Sequence, residues 1–147
     1  MAVRFELRTD LDAASLAPLW QALEPRAEGG VFRSWHWIGC WLAETGLPPV
    51  VLVGHADGQV VLLGVLAAAE RRQGLGAISG LRLHTTGDEA QDVITIEYNG
   101  FLTDRAWAGV ADAAALCYLL GGVVVAGSRR DELHLRNIAA DPPGNGP

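Results

Sequence analysis

The sequence predicts a mixed α/β (α+β) domain with a mostly antiparallel sheet flanked by helices. Three observations support this fold class: an alternating segment at the N-terminus, a middle region of short apolar segments separated by turn residues, and helical patterns on both sides of that region. The chain has 147 residues, which suits one domain that buries a core without disulfides. We expect that domain to span residues 1–140 and a flexible Pro/Gly tail to span residues 141–147.

The first third of the chain predicts one strand followed by two helices. Residues 3–7 alternate between apolar and charged side chains, which is typical of a half-buried strand. Asp10 and Asp12 are candidate N-caps of the first helix, where Pro18 is tolerated only near the first turn. Ser34 is a candidate N-cap of the second helix.

One face of the second helix is predicted to be apolar. Trp37 and Trp41 are four residues apart, so they share a face. We therefore expect both indole rings to be buried together against the sheet.

The middle and the end of the chain predict further strands and one more helix. Asp57-Gly58 is a strong hairpin signal, and Asn99-Gly100 is a turn signal. Asp104 is a candidate cap for a helix that runs from about residue 106 to residue 120 and ends at two glycines. The predicted strands are residues 50–53, 60–70, 78–84, 93–98 and 133–138.

Composition narrows the classes of function. The net charge of −6 argues against binding to nucleic acid through bulk electrostatics. The chain has no Cys/His cluster, so we expect no metal site, and Cys40 and Cys117 lie in apolar segments that predict buried, free thiols. The apolar segments are shorter than a membrane-spanning helix and the N-terminus has no signal-peptide core, so we expect a soluble, cytoplasmic protein without a membrane span.

Four segments resemble a known family. They are F-R-S-W-H-W at residues 32–37 with a further Trp at residue 41, T-G-D at residues 86–88 followed by Asp92, I-E-Y-N-G-F at residues 96–101, and D-E-L-H-L at residues 131–135. Together with the order of predicted elements, they resemble the cellulose-biosynthesis CelD-type N-acyltransferases of the GNAT superfamily. The resemblance covers about residues 5–138.

The resemblance implies a half-domain rather than a complete enzyme. Members of the family are roughly twice this length and resemble two GNAT-like halves, and this chain resembles the first half. The acetyl-CoA or acyl-CoA site of the complete family is attributed to the second half, so we expect this chain to bind no cofactor. The resemblance also implies a sheet that is incomplete at the C-terminus, with the missing C-terminal half or a second copy of the chain as partner.

A glycine-rich segment is the candidate cofactor site within the chain. Arg71, Arg72, Gly74 and Gly76 fit the GNAT pyrophosphate pattern, in which glycines expose backbone N–H groups to phosphate at a helix N-terminus. The segment that follows alternates like a strand, however, and this favours a basic turn between two strands.

Other candidate residues lie in an acidic stretch. Glu97 is a candidate general base if burial raises its pKa, and Asp92, Tyr98 and Asn99 are candidate substrate-binding residues. The competing interpretation is a solvated acidic loop followed by a turn at Asn99. His84 is expected to be an ordinary packed or surface histidine.

Three functions remain open from the sequence. The first is a truncated or split acyltransferase half-domain with a substrate-side or scaffolding role, linked through the family to exopolysaccharide or cell-envelope biosynthesis. The second is a self-sufficient, small acetyl-CoA-dependent N-acetyltransferase that uses the glycine-rich segment. The third is a non-catalytic interaction module that pairs with a separate partner.

Overall fold

A computed structural model describes residues 2–88, 90, 92, 99–122, 124–125 and 128–135. This part of the chain contains three α-helices and eight strands. In chain order they are β1 Arg4–Arg8, α1 Ala13–Leu23, α2 Trp35–Thr45, β2 Val50–Ala56, β3 Gln59–Gln73, β4 Gly76–Leu83, β5 Leu102–Thr103, α3 Val110–Leu120, β6 Val124–Val125, β7 Ser128–Arg129 and β8 Glu132–His134. Short 3-10 turns cover Glu24–Arg26, Val31–Arg33 and Arg105–Trp107.

The main sheet has the strand order β1-β2-β3-β4-β8, and β5 pairs with β3. Strands β1 to β4 pair antiparallel with their neighbours, as does β5 with β3. Among the strands in the described residues, only β8 runs parallel to its neighbour β4, with Leu81 opposite Leu133, and α3 lies in the connection between these two strands. Strands β6 and β7 form a separate two-stranded hairpin. The predicted class, a mixed and mostly antiparallel sheet flanked by helices, is therefore confirmed.

The sheet separates two apolar clusters. Because side chains alternate along a strand, Val51 and Val53 of β2 join the cluster that contains α1 and α2, while Leu52 joins the cluster that contains α3. Burial on both faces explains why residues 50–53 of β2 are all apolar instead of alternating with polar residues.

Local capping follows the sequence at both N-terminal helices. The carboxylate of Asp12 accepts a hydrogen bond from the Ser15 amide at 2.8 Å, and the Ser34 hydroxyl accepts one from the Trp37 amide at 3.3 Å. Asp12, and not Asp10, is thus the cap of α1. Pro18 lies in the second turn of α1, one turn deeper than expected.

The hairpin signal at Asp57-Gly58 is also confirmed. Both residues have positive φ, +52° and +75°, and they connect β2 to β3. This conformation matches the twist of the flanking strands, and Gly tolerates it without the steric cost of a Cβ atom.

Several boundaries differ from those predicted. Asp104 caps the 3-10 turn Arg105–Trp107 by accepting from the Ala106 amide at 2.9 Å, and α3 begins only at Val110, after Gly109 with a φ of +77°. Strand β8 starts one residue earlier than predicted and ends at His134. The predicted strand at residues 93–98 and the tail at residues 141–147 lie outside the described residues.

The two tryptophans of α2 both pack against the apolar cluster, as expected, but they are less buried than expected. Trp37 and Trp41 are half-buried, whereas Ile38 and Leu42 fill the core. Trp37 instead contacts Phe32 edge to face, with ring centroids 4.8 Å apart. The reason is that α2 faces the core with the side that carries Ile38 and Leu42, which is rotated about 100° from the side shared by Trp37 and Trp41, so each indole covers only the edge of the cluster.

The two cysteines also differ from expectation. Cys40 and Cys117 are both free, as predicted, but both are exposed because they lie on the outer sides of α2 and α3. Within the described residues, no helix is long and apolar enough to cross a membrane.

Candidate functional site

A cleft of about 380 Å³ opens beside the sheet. Its walls are the loop before α2, the segment that leads into β5, and the N-terminal end of α3. Polar side chains lining it include Glu28, Arg33, Asn99, Thr103 and Asp112, and apolar side chains include Phe101, Leu116 and Leu135. This volume lies within the range of small-molecule sites.

Arg33 is the only cationic side chain among these lining residues. The indole N–H of Trp20 donates to the Arg33 carbonyl at 2.8 Å, and Trp20 is fully buried, so the main chain at Arg33 is anchored to the core. The guanidinium reaches across the cleft, where Nη1 donates to the Phe101 carbonyl at 3.4 Å. In the described part of the chain, the buried Nε of Arg33 has no hydrogen-bond partner.

A buried His-Asn pair supports the opposite wall of the cleft. Nε2 of His84 accepts from the Val65 amide at 3.0 Å, so Nδ1 carries the proton and donates to the Asn99 side-chain oxygen at 2.9 Å. That oxygen also accepts from the Gly100 amide, and the Asn99 side-chain amide donates to the Leu83 carbonyl. The pair therefore fixes the chain around Gly100 to the end of β4.

His84 is neutral near pH 7. Burial lowers the pKa of His84 to about 4, while the hydrogen bond to Asn99 opposes this shift and the positive charge of Arg33 adds to it. A neutral imidazole with both nitrogens hydrogen-bonded inside the protein acts as a structural link between β3, β4 and the segment at residues 99–101.

A carboxylate closes the cleft at the start of α3. Asp112 accepts from the Thr103 hydroxyl at 2.7 Å and from the Gly109 amide at 2.9 Å. These bonds tie β5 to the first turn of α3, and they place a negative charge at the end of the helix where the helix dipole favours it. Glu28 lies exposed at the rim of the cleft.

The glycine-rich segment lies in a hairpin. Arg71 and Arg72 belong to β3, and Gly74, with a φ of +59°, and Leu75 form the turn to β4. Gly76 begins β4 directly, so no helix N-terminus faces these glycines. The structure thus has the basic turn between two strands that the sequence favoured.

Asp92 has a local role in its loop. Its carboxylate accepts hydrogen bonds from the Thr86 amide at 2.8 Å, from the Thr86 hydroxyl at 2.9 Å and from the Gly87 amide at 2.7 Å. These bonds close the loop after β4, and Asp92 is not among the residues given above for the cleft. Of the other candidates, Asn99 lines the cleft, and Glu97 and Tyr98 lie outside the described residues.

The sequence did not identify Arg33 as a site residue, although it lies within the segment at residues 32–37 that carries the family resemblance. The available signal was an arginine that follows Phe32 and directly precedes the helix cap Ser34. Among the described residues, no group of three or more His, Cys, Asp or Glu side chains is placed to hold a metal ion.

Comparison with protein-family models, with curated proteins and with solved structures finds no match to this chain. Its class is therefore defined by the fold and the cleft alone: an α+β domain with a small-molecule-sized cleft that contains one arginine.

Proposed function

We propose that the chain is a half-domain of the CelD-like, GNAT-type N-acyltransferases, with a substrate-side or scaffolding role in exopolysaccharide or cell-envelope biosynthesis in the cytoplasm. The observation that carries the proposal is the order of elements. One strand, two helices, the antiparallel strands β2 to β5, then α3 and the sheet strand β8 follow the order that the family resemblance implies, with the small β6–β7 sheet between α3 and β8.

Two segments could hold the pyrophosphate of acetyl-CoA: the glycine-rich hairpin, and residues 99–105, which form the phosphate loop if the chain has GNAT topology. The chemistry of both supports a role on the substrate side. A phosphate cradle needs several N–H groups that converge at a helix N-terminus. The hairpin with Gly74 and Gly76 has a strand behind it. The segment at residues 99–105 has its acidic side chain, Asp104, paired with Arg26 and bonded to the Ala106 amide, so a carboxylate occupies the place where phosphate would need a donor.

A partner that covers an open strand edge is part of the proposal. Among the described residues, β1 pairs only with β2, and residues 67–73 of β3 pair only with β4. Open strand edges are templates for pairing with another chain. The partner is a second GNAT-like half or a second copy of this chain, and light scattering at micromolar concentration distinguishes them because only the second copy gives a dimer of the purified protein.

Calorimetric titration with acetyl-CoA tests the substrate-side assignment. We expect no saturable heat at micromolar concentrations of the purified chain. Micromolar binding that disappears in an Arg71→Ala, Arg72→Ala double variant would contradict the proposal, and the small self-sufficient acetyltransferase would take its place.

A further inference from the structure

We propose that the cleft binds a small molecule through a carboxylate or phosphate group held by Arg33. The role of that molecule as the acceptor of acyl transfer rests on the proposed function. Binding itself does not, because it follows from the side chains that line the cleft.

Arg33 brings a positive charge and several N–H donors to the cleft. An arginine side chain is always protonated and carries five N–H donors in a planar fork that matches the oxygens of carboxylate and phosphate. Within the described residues, Arg33 forms no ion pair, and its contact with the Phe101 carbonyl at 3.4 Å is long. Its Nε is buried without a partner. Because Nε is closed to solvent, an oxyanion in the cleft would pair with the Nη groups of the guanidinium.

The carboxylate of Asp112 also lies on the cleft wall. Asp112 is already bonded to the Thr103 hydroxyl and the Gly109 amide. Its charge offsets the positive end of the α3 dipole, so the helix does not attract an anion by itself. Arg33 is therefore the lining side chain that can pair with an anion, beside the two carboxylates of Asp112 and Glu28.

The size of the cleft and its other lining residues indicate what the rest of the ligand looks like. At about 380 Å³ the cleft is larger than a single phosphate or carboxylate, so the ligand extends beyond its charged group. Phe101, Leu116 and Leu135 offer apolar contact to the rest of the molecule, and Glu28 at the rim offers an acceptor for a hydroxyl or amine. A small hydroxy or amino acid, or a sugar phosphate, has this combination of groups.

Hydrogen bonds to buried residues hold two walls of the cleft in place. The carbonyl of Arg33 is fixed by Trp20, and the opposite wall at Gly100 is fixed by the pair of Asn99 and His84. His84 is buried and hydrogen-bonded as a neutral ring, so it places no second charge beside the guanidinium. Both walls are thus held before a ligand arrives, which lowers the ordering cost of binding.

Nuclear magnetic resonance on the full, nitrogen-15-labelled chain tests the proposal. Sodium phosphate and sodium acetate are titrated separately at pH 7 and constant ionic strength, with chloride replaced by the probe. The signals followed are the Arg33 Nε–H group and the amides of Gly100 and Gly109. We expect saturable shifts of these signals with at least one probe, in the millimolar range typical of a single charged group. Saturation with phosphate alone indicates a phosphate ligand, and saturation with acetate alone indicates a carboxylate ligand.

Three variants locate the effect. Arg33→Met keeps the aliphatic stem and removes the charge, and we expect it to weaken binding about tenfold or more. Arg33→Lys keeps the charge without the fork and is expected to retain part of the affinity. Arg4→Met removes an exposed arginine from β1, away from both the cleft and the glycine-rich segment, and is the matched control, which should bind as the wild type does. Unchanged spectra away from the cleft confirm that each variant is folded.

Two results would overturn the proposal. One is the absence of saturable shifts at Arg33, Gly100 and Gly109 with both probes. The other is equal binding by the wild type and Arg33→Met. Failure of the proposed function would be distinguishable, because it would give acetyl-CoA binding that depends on Arg71 and Arg72 and that Arg33→Met leaves intact.

Discussion

Acidification should destabilise the protein through His84. The residue is buried, with 1% of its surface exposed, and its pKa falls from an ordinary value of 6.5 to about 4. Between these two values the unfolded chain binds a proton at this position and the folded chain does not. Stability from His84 is therefore complete above pH 6.5 and is lost as the pH falls toward 4.

The size of the loss follows from linkage. The full shift corresponds to about 3 kcal/mol, and the part that falls between pH 7 and pH 5 is about 2 kcal/mol. Carboxylates with lowered pKa values, such as Asp10 and Asp12, also lose stabilising interactions on acidification. A comparison with a variant that lacks only the imidazole removes their contribution.

His84→Asn is the matched variant. His84 has a φ of +50°, a conformation that Asn adopts more readily than most residues, and Asn does not titrate. Urea unfolding of both proteins at pH 7 and pH 5 measures the effect. We expect the wild type to lose about 2 kcal/mol more than His84→Asn over this interval. Equal losses in the two proteins would refute the assignment of a buried, neutral histidine.

Two further predictions concern packing. A Cβ atom added at Gly64 would lie 2.7 Å from the ring of Phe101, so Gly64→Ala should lower the free energy of unfolding by about 1–3 kcal/mol. Gly30→Ala, whose added Cβ would have no atom within 4 Å, should leave that free energy nearly unchanged. Urea unfolding of both variants measures the difference. Ile38 is fully buried and Trp37 only partly, so Ile38→Ala should lower the free energy of unfolding by about 2–5 kcal/mol and Trp37→Ala by less. Thermal unfolding that shows the larger loss for Trp37→Ala would contradict the observed packing of α2.

Local chemistry made part of the fold predictable. The caps at Asp12 and Ser34 and the turn at Asp57-Gly58 depend on side chains that bond to their own backbone, or on conformations that few residues adopt. Such signals need no knowledge of distant residues. The boundary at Asp104 was less predictable, because its carboxylate caps a 3-10 turn and also pairs with Arg26 from a segment 78 residues away.

The pairing of distant segments could not be predicted from local patterns. The alternation around Leu81 indicates a strand, but it does not specify a parallel partner at Leu133. The cleft has the same origin. Arg33 lies in the N-terminal third of the chain, whereas Gly100, Thr103 and Asp112 come from the segment before and within α3. Only the packing of that segment against β3 brings these residues together.

Buried polar residues were the least predictable part of the site. His84 and Asn99 each carry polar side chains that sequence rules assign to surfaces or turns. They are buried because each satisfies the other and because both also bond to backbone groups of neighbouring strands. This hydrogen bond joins two residues that are 15 positions apart, and neither residue type predicts it alone.

An acyl-transfer assay tests the central claim most directly. The purified chain is incubated with acetyl-CoA and a panel of amines, and release of the free thiol of coenzyme A is followed over time. We expect no release above the rate without protein, because neither Gly74–Gly76 nor residues 99–105 present converging N–H donors at a helix start. Thiol release that rises in proportion to protein concentration, and that is lost in the Arg71→Ala, Arg72→Ala double variant, would contradict it.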